Sequence, residues 1–184
     1  MTTMNFANAK TQNSFEVMPA KTLVKLRLGI KAGFYNDPSK GWTNGWATLG
    51  QTGAIYLKTE CDVIEGEYKG RKIFGLIGLY SPKYEIFAEL GSSFIRAVLE
   101  SAKNIDPKDC SPEANAKRSI KSFDDLVGLT FIGEVKVGET QNGEPKNEIK
   151  KVVTNDHPRY RELMGLPKLT VGAYVEDDEI PFLA

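Results

Sequence analysis

Histidine and cysteine are scarce in this chain: one histidine, His157, and two cysteines, Cys61 and Cys110, among 184 residues. Two thiols cannot build a disulfide framework, and with a single imidazole they make a poor zinc site. No apolar run approaches the roughly 18 residues that a membrane span needs, and the opening stretch MTTMNFANAKTQ has no apolar signal core. The expectation is a protein without membrane contact that stays in the cytoplasm. Net charge is missing as well, since 24 Lys and Arg balance 24 Asp and Glu. That balance hides an asymmetry: residues 176–179 are Glu-Asp-Asp-Glu, which leaves residues 1–175 with 24 basic against 20 acidic side chains. A mildly basic body with an acidic end points towards nucleic acid or a partner-binding tail.

Catalytic signals are equally thin. His157 stands in NDHPRY with no G-x-S-x-G nucleophile motif beside it. The stretch from Gly66 to Gly70 is too short to cradle a phosphate and lacks the Lys-Ser/Thr that would follow. Asp124-Asp125 and Asp177-Asp178 could hold Mg²⁺ for phosphoryl chemistry. The first pair fits better as acids in a helix's first turn, and the second as part of a solvated tail. No enzymatic activity, cofactor or metal is expected.

With 41% hydrophobic and 26% charged residues the chain is an ordinary globular sequence, which excludes disorder throughout. Residues 1–18 show no periodicity and read as a flexible arm. Strict alternation follows, with Val24, Leu26, Leu28 and Ile30 facing one way and Lys25, Arg27, Gly29 and Lys31 the other. Residues 32–53 form a long polar loop holding five glycines and both tryptophans. A strand over residues 55–65, a turn at 66–70 and a returning strand over 71–80 make a hairpin, with Tyr56 opposite Tyr80 and sharing its outer face with Lys58, Lys72 and Phe74. Ser81-Pro82 opens a helix reaching about Lys103, with a break expected at Gly91. A second hairpin turns at Asn142-Gly143 and ends near Thr154, and a flexible tail is read from residue 155 to 184. The fold expected over residues 19–154 is mainly β: a five-stranded OB-fold-like Greek-key barrel with a helix between strands 3 and 4. A generic antiparallel barrel or an α+β sandwich shares much of this pattern.

Holding a single strand of nucleic acid needs cations along a groove and aromatic faces for bases. Lys25, Arg27, Lys31, Lys58 and Lys72 are the candidate cations. Phe34, Tyr35, Trp42 and Trp46 in the long loop, with Tyr56, Phe74 and Tyr80 on the hairpin, are the candidate stacking surfaces. Two tryptophans four residues apart in a Gly/Asn/Ser loop have little local core to enter, so the reading assigns them to binding.

Near the C-terminus, Asp177-Asp178-Glu179-Ile180-Pro181-Phe182 resembles the acidic tip of bacterial single-stranded DNA-binding proteins. In that family the tip recruits replication, recombination and repair enzymes while an OB-fold body holds DNA. The body is more similar to a phage-encoded single-stranded DNA-binding family, through residues 63–74, VIEGEYKGRKIF, and through Asp125-Leu126-Val127-Gly128. The resemblance implies apolar partner contacts from Ile180, Pro181 and Phe182. It departs from the pattern at the end, where Leu183 and Ala184 displace the terminal carboxylate from Phe182. The expected function is sequence-tolerant binding of single-stranded DNA in a bacterial host cell during replication, recombination or repair. The tip would recruit an enzyme, and self-association into a homo-oligomer is compatible with the sequence. The alternatives are an OB-like adaptor that docks a replication enzyme with little DNA affinity, and a metal-dependent nuclease.

Overall fold

Alternation at Val24, Leu26, Leu28 and Ile30 produces β1 (Leu23–Lys31), the strand around which the sheet is organised. In this computed structural model, which describes residues 4–9 and 16–167, β1 pairs antiparallel with β6 (Thr130–Glu139) through residues 23–27 and with β4 (Ile55–Val63) through residues 26–31. On its other edge β4 pairs along its length with β5 (Lys72–Tyr80), and β6 pairs with β7 (Pro145–Val153). The outer strands β5 and β7 come back into contact, so the sheet curls in a barrel-like way.

The protein is thus mainly β, with one antiparallel sheet of seven strands among the described residues rather than five. The two extra strands, β2 (Tyr35–Asp37) and β3 (Trp42–Leu49), lie in the segment expected to be a loop. Short side-chain bonds build this hairpin. Asp37 caps a 3-10 turn at Pro38–Lys40, Gly41 leaves it at φ 73°, and Asn36 Oδ1 accepts from Gly45 N at 2.8 Å. β3 then continues the edge beyond β1, pairing residues 47–49 with residues 55–57 of β4.

The inner faces of β1, β4, β5 and β6 form the core with Val98 and Leu99 of α1 (Glu85–Ala102). Phe94 of α1 meets Phe131 of β6 edge-on, with ring centroids 6.3 Å apart. The helix begins at Glu85, later than Ser81-Pro82, because the Ser81 hydroxyl accepts from Tyr84 N and ties the preceding turn instead. No break occurs at Gly91. A Cβ there would lie 1.8 Å from the Gly78 carbonyl oxygen, so the glycine lets the helix backbone rest directly on β5.

Past α1, the connector is held by an ion cluster. Glu100, almost fully buried, accepts from Arg96 Nε and Arg118 Nε, both at 2.8 Å. Arg118 closes α2 (Pro112–Arg118) and also donates to the Asp106 and Asp109 carbonyls.

Among the described residues, the end of the expected arm and the start of the expected tail are docked. Met18 is buried, and the Asn147 side chain bonds both its N–H, at 2.8 Å, and its carbonyl, at 2.9 Å. Residues 155–167 contain α3 (Tyr160–Met164), whose Tyr160 is fully buried against Ile132 and Val153 and donates its hydroxyl proton to the Ser101 carbonyl. A single buried ring on so short a helix leaves no periodicity to read. The acidic tip at residues 177–182 lies outside the described residues.

Burial pushes the Cys61 thiol up to about 12, whereas Cys110 is exposed. At neutral pH a thiol reagent should therefore modify one cysteine in the native protein and both after denaturation, as counted by mass. Rapid labelling of Cys61 in the native state would contradict this packing.

Candidate nucleic-acid interface

The register of β1, β4 and β5 decides which side chains share the outer face. Arg27 lies opposite Asp62, Gly29 opposite Glu60 and Lys31 opposite Lys58. Across β4, Lys72 lies opposite Asp62, Phe74 opposite Glu60 and Leu76 opposite Lys58. Period-2 alternation therefore gathers Arg27, Lys31, Lys58, Lys72, Phe74 and Leu76 on one surface. Gly29 keeps the middle of that surface shallow, because a Cβ there would sit 2.6 Å from the Glu60 carbonyl oxygen.

Two apolar side chains stand out of this face. Phe74 is 57% exposed and Leu76 56%, although both belong to a well-formed strand. The Lys31 ammonium lies 5.3 Å from the Phe74 ring centroid, a cation–π contact on the ring. A groove of about 340 Å³ borders Phe74 and Leu76 where β5 meets β7, with Lys146, Glu148 and Ile149 on its far wall.

The expected cations divide into two sets. Lys25 pairs with Glu65 at 2.8 Å, Lys31 with Glu60 at 2.7 Å, and Lys72 with Asp62 at 2.8 Å as well as with Glu60. Hydrogen bonds from Lys31 and then Lys72 hold the Glu60 carboxyl below the usual carboxylate range. Bonds to Asp62 and then Glu60 raise the Lys72 ammonium. Arg27 and Lys58 form no ion pair among the described residues, so they carry the uncompensated positive charge of the face.

The aromatic candidates also separate. Trp42, Trp46 and Tyr35 pack against the core, which corrects the expectation that the tryptophans lack one. The β2–β3 hairpin creates that local core by folding onto the 3-10 turn at Phe123–Leu126, where Asn44 Nδ2 donates to Asp124 Oδ2 at 2.5 Å. Trp46 Nε1 is buried without a hydrogen-bond partner among the described residues, yet it lies near enough to Asp124 to join Ser122 and Asn44 in lowering that carboxyl's pKa. Phe34 projects from the hairpin, 86% exposed and at φ 62°, a backbone conformation uncommon for an aromatic residue. Tyr56 lies opposite Gly78, because a register shift between Ile55 and Tyr56 places Tyr80 opposite Ile55. Tyr56 thus covers Gly50 rather than pairing with Tyr80.

The structure therefore brings Arg27, Lys31, Lys58, Lys72 and Phe74 together and sets Lys25 apart beside Glu65. Leu76 was missed although its signal was present in the alternation Lys72-x-Phe74-x-Leu76. Lys40 was missed for want of any signal, since its contact with Tyr80 crosses from the hairpin to β5.

The other polar candidates are engaged locally. Asp125 accepts from Lys121 N at 2.7 Å, and His157 Nδ1 accepts from Arg159 N at 3.2 Å. Among the described residues no group of three or more His, Cys, Asp or Glu side chains could hold a metal ion, and no helix is long and apolar enough to cross a membrane. No protein-family model matches this chain, and no curated protein matches its sequence.

Proposed function

We propose that this protein binds single-stranded DNA on the outer face of β1, β4 and β5, without strong sequence preference and without catalysis. The observation that carries this reading is the pair of exposed apolar side chains, Phe74 and Leu76, on an ordered strand flanked by Arg27 and Lys58. A stacking surface beside unpaired cations is what a single strand needs, because every base has a π-face and every linkage a charge. The strand order β5-β4-β1-β6-β7, with α1 between β5 and β6, supports an OB-type barrel whose first connection carries the β2–β3 hairpin. On this reading the protein coats exposed strands in a phage-infected bacterial cell, and residues 177–182 recruit a replication, recombination or repair enzyme.

Glu60 and Asp62 favour a second reading, an adaptor with little DNA affinity, because they neutralise two of the face's three lysines, Lys31 and Lys72. A salt titration with oligo-dT, duplex DNA and RNA separates the two. If two to four phosphates are neutralised, the log–log slope for oligo-dT should be about −1.4 to −2.8, at roughly 0.7 per contact. Absence of oligo-dT binding at low salt would leave the adaptor.

The two kinds of aromatic residue should respond differently to truncation. Phe74→Ala should weaken oligo-dT binding by about 1–3 kcal/mol with little change in melting temperature. Trp46→Ala should do the reverse, since its indole fills the hairpin core. Anisotropy titrations and thermal melts on each variant check both halves. Loss of affinity in the Trp46 variant alone would move the binding surface to the hairpin.

A further inference from the structure

Lys40 ends the 3-10 turn of the hairpin, and its Nζ lies 4.9 Å from the Trp42 ring centroid and 4.9 Å from that of Tyr80. The two rings come from β3 and from the last residue of β5. Tyr80 is exposed and Trp42 half-buried, so neither ring is sealed into the core. Lys40 has no carboxylate partner among the described residues; its charge rests on the two rings. Beside Trp42 a cleft of about 170 Å³ opens, lined by Lys40, Ile120, Lys121 and Ser122. Lys121 adds a second cation at this point.

An ammonium held only by ring faces is bound through their quadrupoles and stays partly hydrated. A flat nucleobase meets the same walls over a much larger area. Its own phosphate gives the displaced ammonium a stronger partner than a ring. We infer that Trp42 and Tyr80 form a base slot that Lys40 occupies in the free protein, and that an entering base exchanges places with the Lys40 ammonium, which moves to the adjacent phosphate. This rests on the single-strand reading above and adds to it a particular pair of stacking rings and a residue that guards them.

The test uses a Trp46→Phe variant, in which Trp42 is the one remaining tryptophan. It is titrated with oligo-dT and with an abasic strand of equal length. Trp42 fluorescence should quench with oligo-dT and stay unchanged with the abasic strand. In the same background Tyr80→Ala should weaken oligo-dT binding about 5- to 150-fold and leave abasic binding alone, while Tyr80→Phe keeps full affinity. Lys40→Gln should lower the salt slope by about 0.7 on oligo-dT and leave the abasic slope unchanged, since without a base the ammonium stays on the rings. Equal quenching by the two strands overturns the slot. So does a Tyr80→Ala protein that melts earlier but binds oligo-dT normally, which would mark the Lys40 contact as an anchor for the hairpin. If neither strand binds at any salt concentration, the single-strand reading itself falls.

Discussion

Replacing Arg118 with methionine should destabilise the protein by about 3–5 kcal/mol, the usual cost of removing one partner from a buried ion pair. Glu100 would keep one arginine, Arg96, whose side chain is half exposed and cannot by itself shield the buried carboxylate near the end of α1. Arg118 also ties the Asp106 and Asp109 carbonyls, so its loss frees the connector between α1 and the Phe123–Leu126 turn. At roughly 2–4 °C per kcal/mol for a chain of this size, the melting temperature should fall by about 6–20 °C. Arg118→Lys should recover only part of this, because one ammonium cannot reach the carboxylate and both carbonyls at once. Glu100→Gln with Arg118 intact should cost less, since the amide oxygen still accepts. A melting temperature unmoved by Arg118→Met would show the cluster to be ornamental.

The second large effect turns on a sign. In an exposed helix, Gly→Ala stabilises by up to about 1 kcal/mol. Gly91→Ala should instead destabilise by about 1–3 kcal/mol, because the added methyl meets backbone that cannot rotate away: the Gly78 oxygen at 1.8 Å and its carbonyl carbon at 2.7 Å. To relieve the clash α1 must lift from β5, and Tyr80 ends β5 two residues beyond the contact. Gly91→Ala should therefore also weaken oligo-dT binding, and both quantities are read on one preparation by melting and anisotropy. A stabilised Gly91→Ala variant would mean that the helix stands clear of the strand.

How much of this was legible beforehand depends on whether the deciding interaction is local. β1, β4, β5, β6, β7 and α1 follow from periods of two and 3.6 in their own residues, so the sequence order of these elements was readable. The β2–β3 hairpin was not, because β2 has three residues and β3 is interrupted by Gly45. α3 was hidden for a similar reason, with one buried ring and no repeat. At the candidate interface, residue identities on the outer face were readable and their charge state was not. Lys72 is neutralised because the register sets it opposite Asp62 and within reach of Glu60, and a register shift at Ile55 parts Tyr56 from Tyr80. Alternation tells which way a side chain points; it does not tell what stands opposite.

The central place of β1 has a consequence for how the chain is made. Residues 23–27 leave the ribosome early, but their partners are residues 130–134. Met18 waits longer still, for the side chain of Asn147. During synthesis β1, β4 and β5 can pair as a nascent meander, with one edge of β1 unpaired until most of the chain has followed. Pairings this distant slow folding and leave strand edges exposed to neighbouring chains. The seal between the first strand and the last hairpin is thus also a check on completeness: a chain cut short before residue 130 has the meander and α1 but cannot close the sheet around them.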